Sequence, residues 1–310
     1  MKIIVGGGTG LIGKALVPEL IASGYEVYLV SRDKSKIKKI FQNTVHANTW
    51  SELNQLNPDE FMAIINLTGE NISDHRWSSK IKSKLLSSRL HSTQQFVDWG
   101  VKAQVKTPHL YNASAIGIYG LQTNISDKNK IFTEKSDVTD STKSFSSTLV
   151  SQWEQAALQG THVTMPVTLM RFGVVLKRHE GMLKKLELPT QYGMGAVVGS
   201  GEQPLAWIDH IDLVQGILFL ITHSEITGPV NLVAPECVSQ KTFATTLANV
   251  LNKSVFIHLP TWFVKLALGQ MGTELLLSGQ AVSPQRLLEY KFRFKYPTLL
   301  AALTKEYESP

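Results

Sequence analysis

The chain has 310 residues, 43% hydrophobic and 18% charged, which fits one large α/β domain or a nucleotide-binding domain with a smaller second lobe. This composition excludes disorder of the whole chain, and the longest apolar run, ILFLI at 217–221, is far too short to span a membrane. A net charge of +6 suits an anionic ligand or surface, but without a basic patch interleaved with aromatics or a nucleic-acid motif, nucleic acid is excluded as a partner.

Taken in chain order, KIIV (2–5) reads as a strand and is followed at once by glycines. LIGKALVPELIASG (11–24) has helical apolar spacing and stops at Gly24, and YEVYLV (25–30) is again strand-like. Together they predict a βαβ unit. DKSKIKK (33–39) reads as a solvated helix start and VHA (45–47) as a short strand. AIINLTG (63–69) is a buried strand, and 81–101 is a helix with Ile81, Leu85, Leu86, Leu90, Val97 and Val101 on one face. A strand at 109–120 runs into a small-residue turn, 146–159 is a helix and 167–176 a strand. The Gly-rich stretch 188–207 predicts a long functional loop. Residues 211–223 read as helix, 229–235 as strand, and 239–310 as mainly helical.

Strands alternating with helices predict an α/β fold, a Rossmann doubly wound parallel sheet with a small, mainly helical C-terminal lobe. The expected division is a nucleotide-binding domain over 1–176, with sheet contributions from about 211–235, and a substrate lobe over 177–310. The single cysteine, Cys237, excludes an internal disulfide framework and a Cys-based zinc site. It fits a reducing compartment. With no secretory leader pattern at the start, the expectation is a cytoplasmic protein with no membrane partner.

VGGGTGLIG (5–13) carries Gly7, Gly10 and Gly13 between a strand and a helix, the context in which such a motif binds a dinucleotide. Gly7 permits the tight turn, Gly10 lets backbone approach a pyrophosphate, and Gly13 lets helix pack on strand. At the end of the second strand, where an acid would hold the ribose of NAD, the chain has Ser31-Arg32. Asp33 comes one residue late. Arginine can grip a 2′-phosphate that a carboxylate would repel, so the expected cofactor is NADP(H).

With INLTG and SAIGIYG, the glycine loop resembles the short-chain dehydrogenase/reductase superfamily in its extended, epimerase-like branch. GENISDHRW (69–77), LVSQWEQAA (149–157), RFGVVL (171–176), GSGEQPLAWIDHIDLV (199–214) and the C-terminal LLLSGQAVSPQRLLEYKFRFKYPTLLAAL (275–303) narrow it. They resemble the epimerase family protein group, also labelled nucleoside-diphosphate-sugar epimerase and SDR39U1-like. The resemblance covers essentially the whole chain, and the segment at about 258–305 is its most group-specific part. It implies an NADP-binding Rossmann domain with a C-terminal lobe over the cofactor cleft. Carried over, the cofactor-binding residues are Gly7, Thr9, Gly10, Leu11, Ile12 and Gly13 in the loop, Ser31 and Arg32 at the 2′-phosphate, Leu67, Thr68 and Gly69 after the fourth strand, Arg89 from the following helix, and Val175. The group often has His at the place of Asp209; here the order is WIDHID. Superfamily relatives also imply a monomer or a homodimer.

Catalytic members of the superfamily carry Tyr-x-x-x-Lys where KSFSSTL places Phe145 and Leu149. Phe145 cannot titrate and Leu149 carries no charge, so the usual proton donor is absent. The substitute candidates are Ser114 at the end of the fifth strand, Tyr119 in the turn after it, and His75 after the fourth strand. Each has a plainer reading as a turn, packing or loop residue, as do Glu70 and Arg76. Asp209 reads as a helix N-cap with His210 exposed beside it, and Trp77 and Trp207 as packing groups. No spacing suggests a metal site. Two functions stay open. One is an NADP(H)-dependent oxidoreductase or epimerase acting on a small molecule, with sugar nucleotides among the candidates. The other is a non-catalytic NADP(H) redox sensor or partner-binding protein.

Overall fold

The computed structural model describes residues 1–125, 131–138, 144–163 and 165–308. Strands β1 (Lys2–Gly6), β2 (Glu26–Ser31), β3 (His46–Thr49), β4 (Phe61–Asn66), β5 (His109–Ala115) and β6 (Val167–Phe172) alternate with helices α1 (Leu11–Ala22), α2 (Lys34–Phe41), α3 (Trp50–Leu53), α4 (Ser79–Gly100) and α5 (Phe145–Leu158). After them come β7 (Val174–Leu176), α6 (Gly181–Gln191), β8 (Ala196–Val198), β9 (Pro204–Leu205), β10 (Trp207–Asp209), α7 (His210–Thr222) and β11 (Gly228–Leu232). The remainder is β12 (Val238–Ser239), α8 (Gln240–Val250), β13 (Ile257–Leu259), α9 (Thr261–Leu275), α10 (Gln285–Glu289) and α11 (Leu299–Glu308).

Among the described residues, a seven-stranded sheet has the order β11-β6-β5-β4-β1-β2-β3, and every pairing in it is parallel. Ile3, Ile4, Val5, Ile64 and Ile65 are fully buried because helices cover both faces, which is why these strands read as unbroken apolar runs. Leu16, Val17 and Leu20 of α1 and Ile217 and Leu220 of α7 fill one face. Phe96 and Trp99 of α4 and Ala157 of α5 fill the other. Each of the larger aliphatic and phenyl side chains contributes about 1.5–3 kcal/mol on burial. The Rossmann architecture with a helical C-terminal region is therefore as expected. The basic run starts α2, with Asp33 as its cap accepting from Ser35 N at 2.9 Å.

Expectations for two segments need correction. The strand expected at 167–176 breaks at Gly173. Up to that point it lies between β5 and β11; beyond it, β7 pairs β10. A methyl at Gly173 would sit 2.9 Å from Ala206 O and from Val233 Cγ1, so only glycine lets the chain change partners there. Likewise, 188–207 is not a structureless loop. It holds the end of α6 and the strands β8, β9 and β10, which pair with β13, β12 and β7. Period-2 alternation cannot be read in strands of two or three residues.

The last helix is locked by charge. Asp209 caps α7 by accepting from Ile211 N at 2.8 Å, and Lys305 Nζ forms an ion pair with its other oxygen at 2.7 Å. His210 is not exposed as expected. It is half-buried, with Nδ1 3.1 Å from Glu306 Oε1. Asp209, His210 and Glu306 thus converge as a metal site would, but the Lys305 ammonium stands between the two carboxylates, 2.5 Å from Glu306. Burial works against the Glu306 carboxylate, yet hydrogen bonds from His210 and Lys305 hold it down to about 2. Its folded value lies below its ordinary 4.5, so its stabilisation is complete above that value and is lost as pH falls from about 4.5 toward about 2. Thermal melts across that range should drop more steeply for the wild type than for Glu306→Gln, which lacks the carboxylate at every pH.

Candidate active site

The nucleotide cradle forms where β1 ends. Gly7 takes φ +77°, and a methyl on it would lie 2.6 Å from Leu67 O. Gly10 N donates to Gly7 O at 3.0 Å, closing the turn. At Gly13 a methyl would come 2.5 Å from Gly8 Cα, so α1 sits directly on the turn. Thr9, Leu11 and Ile12 complete the loop. Gly10 caps α1 without any side-chain hydrogen bond, and no acid stands in the first turn. The positive end of the helix is therefore open to an anion.

The other carried-over positions gather around this cradle. Leu67 N donates to Gly6 O at 3.0 Å, which sets Leu67, Thr68 and Gly69 beside the turn. Ser31 and Arg32 end β2, the neighbour of β1. The Arg32 side chain is 85% exposed, and its Nη1 is 3.5 Å from Glu70 Oε1, bringing the β2 and β4 edges to one rim. Lys84 Nζ, 3.3 Å from the same oxygen, shares this carboxylate. Arg89 of α4 is buried. It donates to Leu85 O at 2.8 Å and Glu70 O at 3.0 Å, and burial pushes its pKa down to about 10. Its Nε has no partner among the described residues, nor does the buried Asn48 Oδ1 on β3. Val175 closes the far side: its carbonyl and the Leu11 side chain both approach Gly181 at the start of α6. An open helix terminus, a glycine cradle and orphaned buried polar atoms suit a dinucleotide.

The proton-transfer positions are different. Phe145 opens α5 and packs edge-to-face on Trp77, centroids 4.8 Å apart, with Lys82 Nζ 5.2 Å from its ring centre. Leu149 is buried in the same apolar cluster as Trp77, Leu85 and Ile116. The N-terminus of α5 also meets Glu274 of α9 in the C-terminal region, whose carboxylate accepts from Phe145 N at 3.1 Å, Ser146 N at 2.8 Å and Ser146 Oγ at 2.7 Å.

Ser114 and Tyr119 face inward rather than toward the cradle. Ser114 Oγ donates to Glu154 Oε1 at 2.5 Å. Arg171 bridges that carboxylate through Nε and Nη2, both at 2.8 Å, and donates from Nη1 to Tyr119 OH at 2.9 Å. The Tyr119 hydroxyl in turn donates to Asn231 Oδ1 at 2.7 Å. Burial raises the Tyr119 pKa, although Arg171 opposes the shift. Both hydroxyls are held in one buried network. His75 lies apart from it, exposed on the segment between β4 and α4, and Arg76 beside it packs against Gly269. Sequence reading did not single out Glu154, Arg171 or Glu274. The first two stood in quoted motifs, but no spacing reveals a pair that meets across a helix–sheet interface.

Comparison with known proteins decides the family. Residues 3–232 match the model described as NAD dependent epimerase/dehydratase family. The chain belongs to that family. Residues 259–306 match a domain of unknown function, DUF1731, close to the segment expected to be most group-specific. The chain is 35% identical over 305 residues to an epimerase family protein of Staphylococcus aureus, covering 97% of each. It is 33% identical over 311 residues to the epimerase family protein YfhF of Bacillus subtilis, covering 98% of this chain and 97% of that one. It also resembles the crystal structure of human epimerase family protein SDR39U1 with NADPH, at a TM-score of 0.87 and 32% identity over all of both chains. The SDR39U1-like group of atypical short-chain dehydrogenase/reductases is thereby the place of this chain within the epimerase family.

Proposed function

We propose that this epimerase family member binds NADP(H) and exchanges hydride between it and a small molecule, without a Tyr-x-x-x-Lys dyad. The observation that carries the cofactor choice is Arg32, whose side chain is 85% exposed where an NAD-binding chain would present a carboxylate. The human relative crystallised with NADPH supports it. When bound, the nicotinamide supplies or accepts the hydride. The α1 terminus and Gly7–Gly13 hold the pyrophosphate, Ser31 and Arg32 hold the 2′-phosphate, and Arg89 offers its free Nε–H to an acceptor beside Gly69.

With Ser114 and Tyr119 engaged elsewhere, His75 is the proton carrier left among the candidates, and water is its rival. Sugar nucleotides lead the substrate candidates by family likeness alone. Arg32→Ala removes a charge-assisted contact of about 1.5–3 kcal/mol and should weaken NADPH binding roughly tenfold to a hundredfold, while leaving NADH within a few-fold in the same fluorescence titration. For the reaction, the protein is incubated with NADPH deuterated at the transferable ring position and an extract containing sugar nucleotides. Label should pass to a metabolite, and His75→Gln should slow that passage.

A second reading is favoured by the packing of Phe145 on Trp77 and by the burial of Leu149, Ser114 and Tyr119 in packing and hydrogen bonds: an NADP(H) redox sensor without turnover. Tight NADPH binding, tighter than NADP+, with all label retained on the cofactor, would support the sensor and sink the hydride reading.

A further inference from the structure

One side of the second lobe departs from the usual burial of large apolar groups. Tyr192 at the end of α6, Phe256 just before β13, and Trp262 and Leu266 on the first half of α9 are 74%, 86%, 66% and 69% exposed. A short parallel ladder ties them together. Ile257 of β13 pairs with Ala196 of β8, and Leu259 with Val198. Phe256 therefore starts this edge near the turn that follows Tyr192, and α9 leaves from its other end. Exposed apolar residues are ordinary singly, but grouped like this they mark an interaction surface.

The stretch that supplies Phe256, Trp262 and Leu266 carries charge of one sign. Between Glu236 and Glu274 the sequence has no carboxylate, while Lys241, Lys253 and Lys265 fall in that interval. Lys253 and Lys265 are exposed. On α6, Glu187 is buried and turned toward Arg178 and His179. Aromatic and aliphatic side chains among lysines, with no acid between them, match the interfacial zone of an anionic bilayer. There indole and phenyl rings sit at headgroup level and ammonium groups meet lipid phosphate. A second copy on this face would bring two lysine-bearing surfaces together with no carboxylate from that stretch on either.

We propose that the β13 edge and the first half of α9 dock on an anionic membrane surface, seating Phe256, Trp262 and Leu266 among the headgroups. No helix among the described residues is long and apolar enough to cross a membrane, and docking of this kind requires none. The expectation of no membrane partner rested on the lack of a long apolar run, which says nothing of an interfacial contact. Gly269, at φ +60°, kinks α9 between this exposed half and the half that buries Met271 and Glu274. The exposed half of α9 is thus set apart from the half whose Glu274 caps α5, and the proposal stands or falls independently of the hydride reading.

The test is sedimentation of the full chain with vesicles of phosphatidylglycerol mixed with phosphatidylcholine, and with phosphatidylcholine alone. The protein should pellet with the anionic vesicles only, and less so as salt rises. Lys253→Glu and Lys265→Glu should each weaken binding by about fivefold or more. The double change Trp262→Glu with Leu266→Glu should abolish it, with melting temperature and NADPH affinity unchanged because both side chains are exposed. The proposal is overturned if the wild type stays in the supernatant, or if the double variant pellets as well as the wild type. It is also overturned if size-exclusion chromatography shows a dimer that the double variant splits, which would assign the face to a second copy.

Discussion

Gly13→Ala should abolish measurable NADPH binding and destabilise the protein by about 1–3 kcal/mol. In an open helix the change would help by about 1 kcal/mol, since alanine is the better helix former. Here the added methyl would lie 2.5 Å from Gly8 Cα and 2.6 Å from Gly7 O. These are backbone atoms of the turn proposed to hold the phosphates, and backbone cannot swing aside as a side-chain end can. Relief requires α1 to move off β1, and that movement carries the helix N-terminus away from the proposed phosphate site. Gly24→Ala is the control. Gly24 also has positive φ, at +83°, but a methyl there meets nothing within 4 Å. Its replacement should cost about 1 kcal/mol of backbone strain and leave NADPH affinity alone. Fluorescence titration and thermal melts on both variants check this. Wild-type-like NADPH binding by Gly13→Ala would remove the cradle from the nucleotide site.

What could be read from the sequence is what local physics dictates. KIIVG with its glycines, and the helix that stops at Gly24, announce β1, the turn and α1 because strand burial, turn conformation and helix termination are all decided within a few residues. Arg32 was legible for the same reason, as its place is fixed by the end of β2. The switch at Gly173 was not, because its cause is Ala206 and Val233 approaching from elsewhere in the chain. The strands within 188–207 gain their hydrogen bonds from residues as distant as Ile257. Glu274 reads as one acid in a helical stretch until α9 delivers it to the terminus of α5. Ser114 was placed correctly at the end of β5, but its direction is set by Glu154 across the helix–sheet interface, and no motif encodes that.

Arg171→Met should lower stability by about 3–5 kcal/mol, because it leaves the Glu154 carboxylate buried without its counter-charge. Both groups are almost wholly buried. The effect reaches beyond the pair. Arg171 also holds Tyr119, Tyr119 holds Asn231, and Asn231 N donates to Glu134 Oε1 at 2.9 Å, a carboxylate oxygen also approached by Arg286 N at 3.3 Å. One guanidinium therefore links β5, α5, β6 and β11 to α10 in the C-terminal region. Against a typical total of about 5–15 kcal/mol, such a loss would shift urea unfolding visibly. Glu154→Leu alone should be comparably damaging, whereas Glu154→Leu with Arg171→Met should recover much of the loss, since no unpaired charge remains. The same network separates structural from catalytic hydroxyls. Tyr119→Phe strips one hydrogen bond from Arg171 and one from Asn231, and should cost about 1–3 kcal/mol in the unfolding assay. Deuterium passage from NADPH should be retained at temperatures where this variant is folded. Loss of that passage with stability intact would return Tyr119 to the proton-transfer step, and the burial of its hydroxyl would then have to open during turnover.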